Sequence, residues 1–463
     1  VADTTSLVEE GSGEAADAKP QLVVALHAEP VPWLSRHVLD EIDVVELGRG
    51  RTARAIRTTS TVRRLALSLP DRAISEQHAR LTRLRGRWLL EDLGAKNPCL
   101  VNGAAARETS LADGDTIELG RTVLVFRDAV VPVAGPPDAS LAELVPALPE
   151  LRTLSGAASA AHRMLAAVAP TALPVILHGG SGTGKERVAR AIHRASGRTG
   201  AFVAINCAAI PPQLLESELF GHRRGAFSGA VGERVGHVRA ADGGTLLLDE
   251  IAELPPSAQA ALLRVLQERE VVPIGDSLPI SVDIRVIAAT HAELRPRVAD
   301  GRFRADLLAR LDGLTVQLPA LAERREDLGL LVGELLRELG ARTLTAAAAR
   351  ALFAYDWPGN IRELEMALHR AAALAGTGPA IDVAHLPPLV VAALEELNRP
   401  RPASALTAAD TERRARVVAL LTEHRGNVSA VARVFGKARW QIHRWMRDLA
   451  IDPADFRDGG SPT

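Results

Sequence analysis

The stretch HGGSGTGKE, residues 178–186, restricts the fold of this chain more than any other part of its sequence. It follows an apolar run at 173–177 and leads into a segment where Val188 and Ile192 recur at i, i+4. Strand, glycine-rich loop and helix in that order make a cradle for phosphate. Glycine amides can close around oxygen atoms, the helix N-terminus favours negative charge, and Lys185 reaches the β- and γ-phosphates. Gly179, Gly180, Ser181, Gly182, Thr183, Gly184, Lys185 and Glu186 are therefore the candidate nucleotide-binding residues. The general pattern places Ser or Thr after the lysine, to put a hydroxyl on Mg2+; Glu186 stands there instead. Taken alone, the stretch also fits a glycine-rich turn at a strand end.

A second segment narrows the choice. GGTLLLDEI, residues 243–251, is an apolar strand ending in two carboxylates. Asp249 can hold Mg2+ and Glu250 can polarise a water, which suits phosphoryl transfer, a reaction governed by positioning and charge neutralisation. An acidic pair after a strand also serves as a helix cap, but with the glycine loop upstream the two segments favour nucleotide chemistry.

At 463 residues the chain is too long for one core, and at roughly 150 residues per domain it should hold about three. Residues 1–20 are acidic and small, bury little and are expected to form a disordered tail. From 21 to 128, short alternating runs such as RLALSL and DTIELGR, broken by Gly, Asp, Asn and Pro, predict an all-β sandwich. A linker is expected over 129–150. Over 151–390, apolar strands alternate with amphipathic helices, the pattern of an α/β domain with a parallel sheet. LNRPRPAS marks a linker over 391–408, before an all-helical module at 409–452 and a tail at 453–463. Cys99 and Cys207 have neither metal nor disulfide spacing, which favours a reducing, cytoplasmic setting. No run approaches the roughly 18 apolar residues of a membrane helix, and no basic-then-apolar leader opens the chain, so no membrane partner is expected.

Residues from about 150 to 390 carry, in order, GGSGTGKE, FVAINCAAI, ESELFGHRRGAFSGA, GGTLLLDEI, LLRVLQERE, RVIAAT, GRFRADLLARL and WPGNIRELE. On these motifs the region resembles the ATPase domain of bacterial enhancer-binding proteins, the AAA+ activators of sigma-54 RNA polymerase. The resemblance implies a P-loop AAA+ fold with a helical lid at about 320–390, ATP and Mg2+ as cofactors, and a homo-oligomeric ring such as a hexamer. A glutamate after the P-loop lysine is usual in that family, which accounts for Glu186. By motif, Asn206 would restrain Glu250 and Thr290 would sense the γ-phosphate. Arg304 and Arg310 would be arginine fingers reaching a neighbour's nucleotide, and Arg362 would sense phosphate from the lid. His291 stands where the family commonly has Asn, and Ala322, in LAERRED (321–327), removes a charge that the family often has there. The loop Gly225, Ala226, Phe227, Ser228, Gly229, Ala230 stands where the family has GAFTGA. It would contact the sigma factor of the sigma-54 RNA polymerase holoenzyme.

The flanking modules carry their own signals. Residues 411–450 hold nine Lys/Arg against three Asp/Glu, a net of +6, and a basic patch in a short helical module suggests phosphate contact. GNVSAVARVFGKARWQIHRWMRDL, residues 426–449, reads as helix, Gly-containing turn, helix, with Val428, Val431, Ala432, Phe435, Ile442, Trp445 and Leu449 packing inward. Arg439, Gln441, His443, Arg444 and Arg447 are left for DNA, and Trp440 fits either a base contact or partial burial. The module resembles the Fis-type helix-turn-helix domain, which implies enhancer DNA as a partner. In the β-rich segment, LGR (47–49), ISEQHA (74–79), LGAKNPCLVNG (93–103) and DGDTIELG (113–120) resemble a forkhead-associated (FHA) domain, which binds phosphothreonine peptides. That resemblance assigns Arg49 and Ser75 to the phosphate, Asn97 to the peptide backbone, and His78 and Asn102 to bracing the loops. The partner would be a phosphothreonine-containing protein or a kinase. Glu76 beside Ser75, and Pro98 and Cys99 after Asn97, depart from the family form.

The sequence thus predicts a multidomain activator: an FHA-like sandwich, a central α/β ATPase with a lid, and a helix-turn-helix. ATP hydrolysis would convert closed sigma-54 polymerase complexes into open ones. The alternatives are a DNA-binding regulator whose ATPase is vestigial or allosteric, and an AAA+ remodeller of some other protein.

Overall fold

The computed structural model describes residues 18–29, 33–84, 86–131, 135–226, 232–340, 342–398, 408–437, 439–449, 451 and 456. Its N-terminal part is a sandwich of a seven-stranded and a six-stranded sheet. Alternation sets the inward faces: strand Arg64–Leu69 buries Leu65, Leu67 and Leu69 and leaves the residues between them partly exposed. Strand Lys19–His27 breaks this rule, with every residue from Gln21 to His27 buried. One of its faces lies on the sandwich core and the other lies under helix Leu328–Glu338 of the lid. A strand covered on both sides has no polar face to present, which is why LVVAL is a continuous apolar run. Gly329 makes the close approach possible, because a Cβ there would stand 2.1 Å from the Ala25 carbonyl oxygen. Sandwich and lid therefore share one hydrophobic cluster.

The segments expected as linkers are partly built into the domains. Within 129–150, strand Asp138–Ser140 pairs antiparallel with Ser35–Val38. Asp138 accepts hydrogen bonds there from Arg57 (2.5 Å) and His37 (2.9 Å). The first strand starts at Lys19, within the expected tail, and helix Pro388–Asn398 runs past 391. Leu397 on that helix packs against the sandwich at Gly103, where a Cβ would come within 2.5 Å of the leucine Cγ.

The central sheet has five strands, in the spatial order Phe202–Asn206, Thr245–Asp249, Arg285–Thr290, Val175–His178, Leu314–Gln317. All are parallel, with Asn206 opposite Asp249 and His178 opposite Thr290. Parallel pairing brings the carboxyl ends of the strands to one edge, where ligands bind in open α/β sheets. Lid helices Leu328–Glu338, Ala346–Ala354, Asn360–Leu374 and Pro388–Asn398 follow. The C-terminal helices Ala408–Glu423, Val428–Phe435 and Arg439–Asp448 form a separate small core. That core contains Val428, Val431, Ala432, Ile442 and Leu449 as expected, with Met446 added and the rings of Phe435 and Trp445 edge-on at its margin. Among the described residues, no helix is long and apolar enough to cross a membrane.

Candidate nucleotide site and neighbouring surfaces

The phosphate loop leaves strand Val175–His178 and enters helix Lys185–Ala195 through Gly182 (φ 76°) and Gly184 (φ 97°), a left-handed backbone that glycine adopts without strain. At Gly182 space forbids a side chain as well, since a Cβ would lie 2.3 Å from the Gly359 carbonyl oxygen of the lid. Lys185, only 7 % exposed, donates to the carbonyls of Gly179 (2.9 Å) and Gly180 (3.2 Å), and its Nζ lies 4.0 Å from Glu250 Oε1. Thr183 Oγ1 donates to the Gly180 carbonyl. Glu186 lies outside this cradle, its carboxylate paired with Arg190 one turn along the helix at 2.7 Å.

Asp249 ends its strand facing the loop. Burial raises its carboxyl above the ordinary carboxylate value and Glu250 adds to this, while Lys185 pulls the other way. Glu250 has a left-handed backbone (φ 52°), an uncommon state for a residue with a Cβ and one found preferentially at functional sites. The expected Asn206–Glu250 contact is not made. Asn206 Nδ2 sits 3.5 Å from Asp249 Oδ2, and its Oδ1 accepts from the Ala208 amide. His291 Nδ1 lies 2.7 Å from Glu250 Oε2 instead, because it follows the neighbouring strand end and can swing across. Thr290 is fully buried; its hydroxyl accepts from the Ala292 amide, and its carbonyl accepts from the Gly179 amide.

The lid closes the site from above. Arg362 donates to Ser181 Oγ (3.0 Å), and Asn360 Nδ2 donates to the Ser181 carbonyl (2.9 Å) while its Oδ1 accepts from the Leu321 amide. Arg324 Nη2 donates to the Thr183 carbonyl at 2.8 Å. Asn360 and Arg324 were not singled out from the sequence, although they stand in WPGNIRE and LAERRED. Their partners on the phosphate loop, Ser181 and Thr183, lie more than a hundred residues away, a separation that local pattern does not report. Arg304, at the start of helix Ala305–Leu311, and Arg310, in its last turn, are both exposed, and Arg304 pairs with Asp306.

Of the GAFSGA loop, Gly225 is exposed and Ala226 half-buried; Phe227, Ser228, Gly229 and Ala230 lie outside the described residues. The base of the loop is stapled by Arg223, which pairs with Glu233 (2.8 Å) and Asp276 (2.7 Å). On the sandwich, Ser75 Oγ accepts from the Lys96 amide and Asn97 Nδ2 donates to the Ala73 carbonyl. Buried His78 accepts from the Ser75 amide through Nδ1. Gly48 lets the Arg49 and Ser75 loops meet, since a Cβ there would lie 2.0 Å from the Glu76 carbonyl oxygen. The Arg49 guanidinium stands 3.7 Å from the Glu76 carboxylate. Asn102 is further off, bonded to Asp115 and Thr116. In the C-terminal module Arg439 is exposed and Gln441 and His443 are half-buried; the side chains of Trp440, Arg444 and Arg447 lie outside the described set.

Comparison with known proteins agrees with this architecture. Residues 151–317 match the sigma-54 interaction domain, residues 322–402 the AAA+ ATPase lid domain, and residues 45–120 the FHA domain. The transcriptional regulatory protein GlrR of Escherichia coli K12 is 43 % identical over 298 residues, which are 63 % of this chain and 66 % of GlrR. The acetoin catabolism regulatory protein of Cupriavidus necator is 43 % identical over 432 residues, 86 % of this chain and 63 % of that protein. The chain thus spans just under two thirds of the length of these curated relatives. The crystal structure of NtrX from Brucella abortus in complex with ATP superposes with a TM-score of 0.50 at 34 % identity, covering 65 % of this chain and 70 % of NtrX. With these matches, the chain carries a sigma-54 interaction domain, preceded by an FHA domain and followed by an AAA+ lid domain, and over these parts it is similar to transcriptional regulatory proteins.

Proposed function

We propose that the protein is an ATP-dependent transcription activator that remodels sigma-54 RNA polymerase from closed to open promoter complexes, acting as a ring tethered to enhancer DNA. The observation that carries this reading is the carboxyl edge of the parallel sheet, where Lys185, Asp249, Glu250 and Thr290 meet under Arg362 of the lid. The residues suit a nucleotide: a loop too tight for side chains, a buried ammonium, and a carboxylate beside it. Asp249 would hold the Mg2+ ion, whose charge would offset that of the phosphates. Lys185 and the loop amides would bind the phosphate oxygens. The cleft beside Gly184, where Leu151, Val188, Leu331 and Ile361 stand among charged residues such as Arg187 and Glu334, would take the base.

Glu250 would orient and polarise the attacking water, with His291 holding its carboxylate in position. Thr290 would report the γ-phosphate to the adjoining strand. Exposed Arg304 and Arg310 would reach the site of a neighbouring subunit, where an arginine finger is worth about 10³ to 10⁵ in rate. Ring closure would thus be needed for hydrolysis. The C-terminal helices would form the Fis-type DNA-binding module, and the Arg49, Ser75 and Asn97 cluster would bind a phosphothreonine peptide from a kinase-linked partner.

The test is open-complex formation on a sigma-54 promoter by purified protein with ATP. Wild-type protein should open the promoter and Lys185→Ala should not. Failure of both to differ would end this reading.

A further inference from the structure

The segment Arg324–Asp327 joins the phosphate loop, the lid, the sandwich and the start of the ATPase region. Arg324 binds the phosphate loop, Arg325 binds Asp356 of the lid (2.5 Å), Glu326 pairs with Arg127 of the sandwich, and Asp327 accepts from Thr153 and the Leu154 amide at the start of the ATPase region. Two carboxylates at this junction face the third C-terminal helix, Arg439–Asp448. Asp356 accepts a hydrogen bond from Gln441 Nε2 at 2.7 Å. Asp113, on the sandwich loop that binds Arg127 at 3.0 Å, lies within electrostatic reach of Arg439 and His443. Burial alone would raise the Asp113 carboxyl; Arg127 first and then Arg439, with the Asp128 amide and His443, outweigh burial and hold it below its ordinary value.

The charges explain why this edge accepts a basic helix. Asp113, Glu326 and Asp356 supply three carboxylates against the guanidiniums of Arg127 and Arg325. The residues received are at the N-terminal end of the helix, the end that contacts base edges when such a helix enters a major groove. We propose that the acidic edge formed by Asp113 of the sandwich and Asp356 of the lid is an intramolecular docking surface for the N-terminal end of the 439–448 helix, and that DNA competes with this edge for the same residues.

This inference rests on the DNA-binding reading of the C-terminal module. Its consequence is that DNA affinity depends on how the FHA sandwich sits against the lid, since neither domain alone supplies both carboxylates. A fraction of molecules with the helix docked lowers the apparent affinity for DNA by that fraction.

The test uses the full chain and a fluorescent mixed-sequence DNA duplex of 30 base pairs at low salt, read by anisotropy, with hydrogen exchange of the 439–448 helix measured without DNA. Asp356→Asn and Asp113→Asn should each raise duplex affinity, together by about tenfold, the scale of one lost charge-assisted hydrogen bond. Exchange in the helix should rise in parallel. Asp113→Asn leaves the Arg325–Asp356 pair untouched, and exchange of the central strand Arg285–Thr290 reports whether each variant keeps its ATPase fold. Equal duplex affinity and equal helix exchange in wild type and variants would overturn the docking while leaving DNA binding in place. Absence of duplex binding by every protein would overturn the DNA-binding reading, and the competition with it.

Discussion

Asp327→Asn perturbs the junction where its energetics can be worked through. The side chain is 2 % exposed and accepts from Thr153 Oγ1 and the Leu154 amide, both at 2.6 Å, and from the Ser155 amide at 3.3 Å. Burial pushes its carboxyl up to about 6, and Glu326 adds to the push, against the pull of Arg324, Thr153 and the Leu154 amide. In the unfolded chain the group titrates near 4. The folded state therefore binds the proton more tightly, so the stability linked to this group is fully present below about pH 4 and is lost as pH rises through about 6. Two pH units at 1.36 kcal/mol each amount to about 3 kcal/mol. Asparagine does not titrate and keeps one oxygen for the two amides. Between pH 4 and 7 the stability of the wild type relative to Asp327→Asn should consequently fall by about 3 kcal/mol. Urea unfolding of both proteins at matched pH steps measures this, and parallel pH profiles would refute the reasoning.

Phe227→Ala should abolish promoter opening while leaving ATP hydrolysis largely intact, because Phe227 belongs to neither the phosphate loop at 178–186 nor the acidic strand end at 243–251; loss of both activities together would make the loop merely structural. Arg49→Ala should weaken phosphothreonine-peptide binding at least tenfold in titration calorimetry, as expected for losing a charge-assisted contact. The substitution should not unfold the sandwich, since the Arg49 side chain is 45 % exposed. Equal affinity of the wild type for phosphorylated and unphosphorylated peptide would refute the sensor role.

Much of the site was legible because its groups sit in short contiguous motifs. Asp249 closes one strand and Lys185 opens the helix that follows another through the phosphate loop, and parallel pairing is what brings those strand ends together. Asn206 shows the limit. Its motif was clear, but its amide faces Asp249, and the contact to Glu250 is made by His291, which reaches across from the next strand end. Ala322 stood out as a departure from the family form, and nothing in the structure explains it. The neighbouring Arg324–Asp327 owe their importance to partners scattered from Arg127 to Asp356.

Sequence by itself determined the three modules, the phosphate loop and its acidic partner strand, because periodicity and local motif are properties of neighbouring residues. Tertiary structure alone decided that these modules are not beads on linkers. Strand Lys19–His27 is buried on both faces by its own sandwich and by the lid, Gly329 permits that approach, and buried charge pairs such as Arg127–Glu326 and Arg350–Glu118 fix it. Whether a second apolar face is covered by the same domain or by another depends on where distant segments pack, and alternation along one strand carries no record of that.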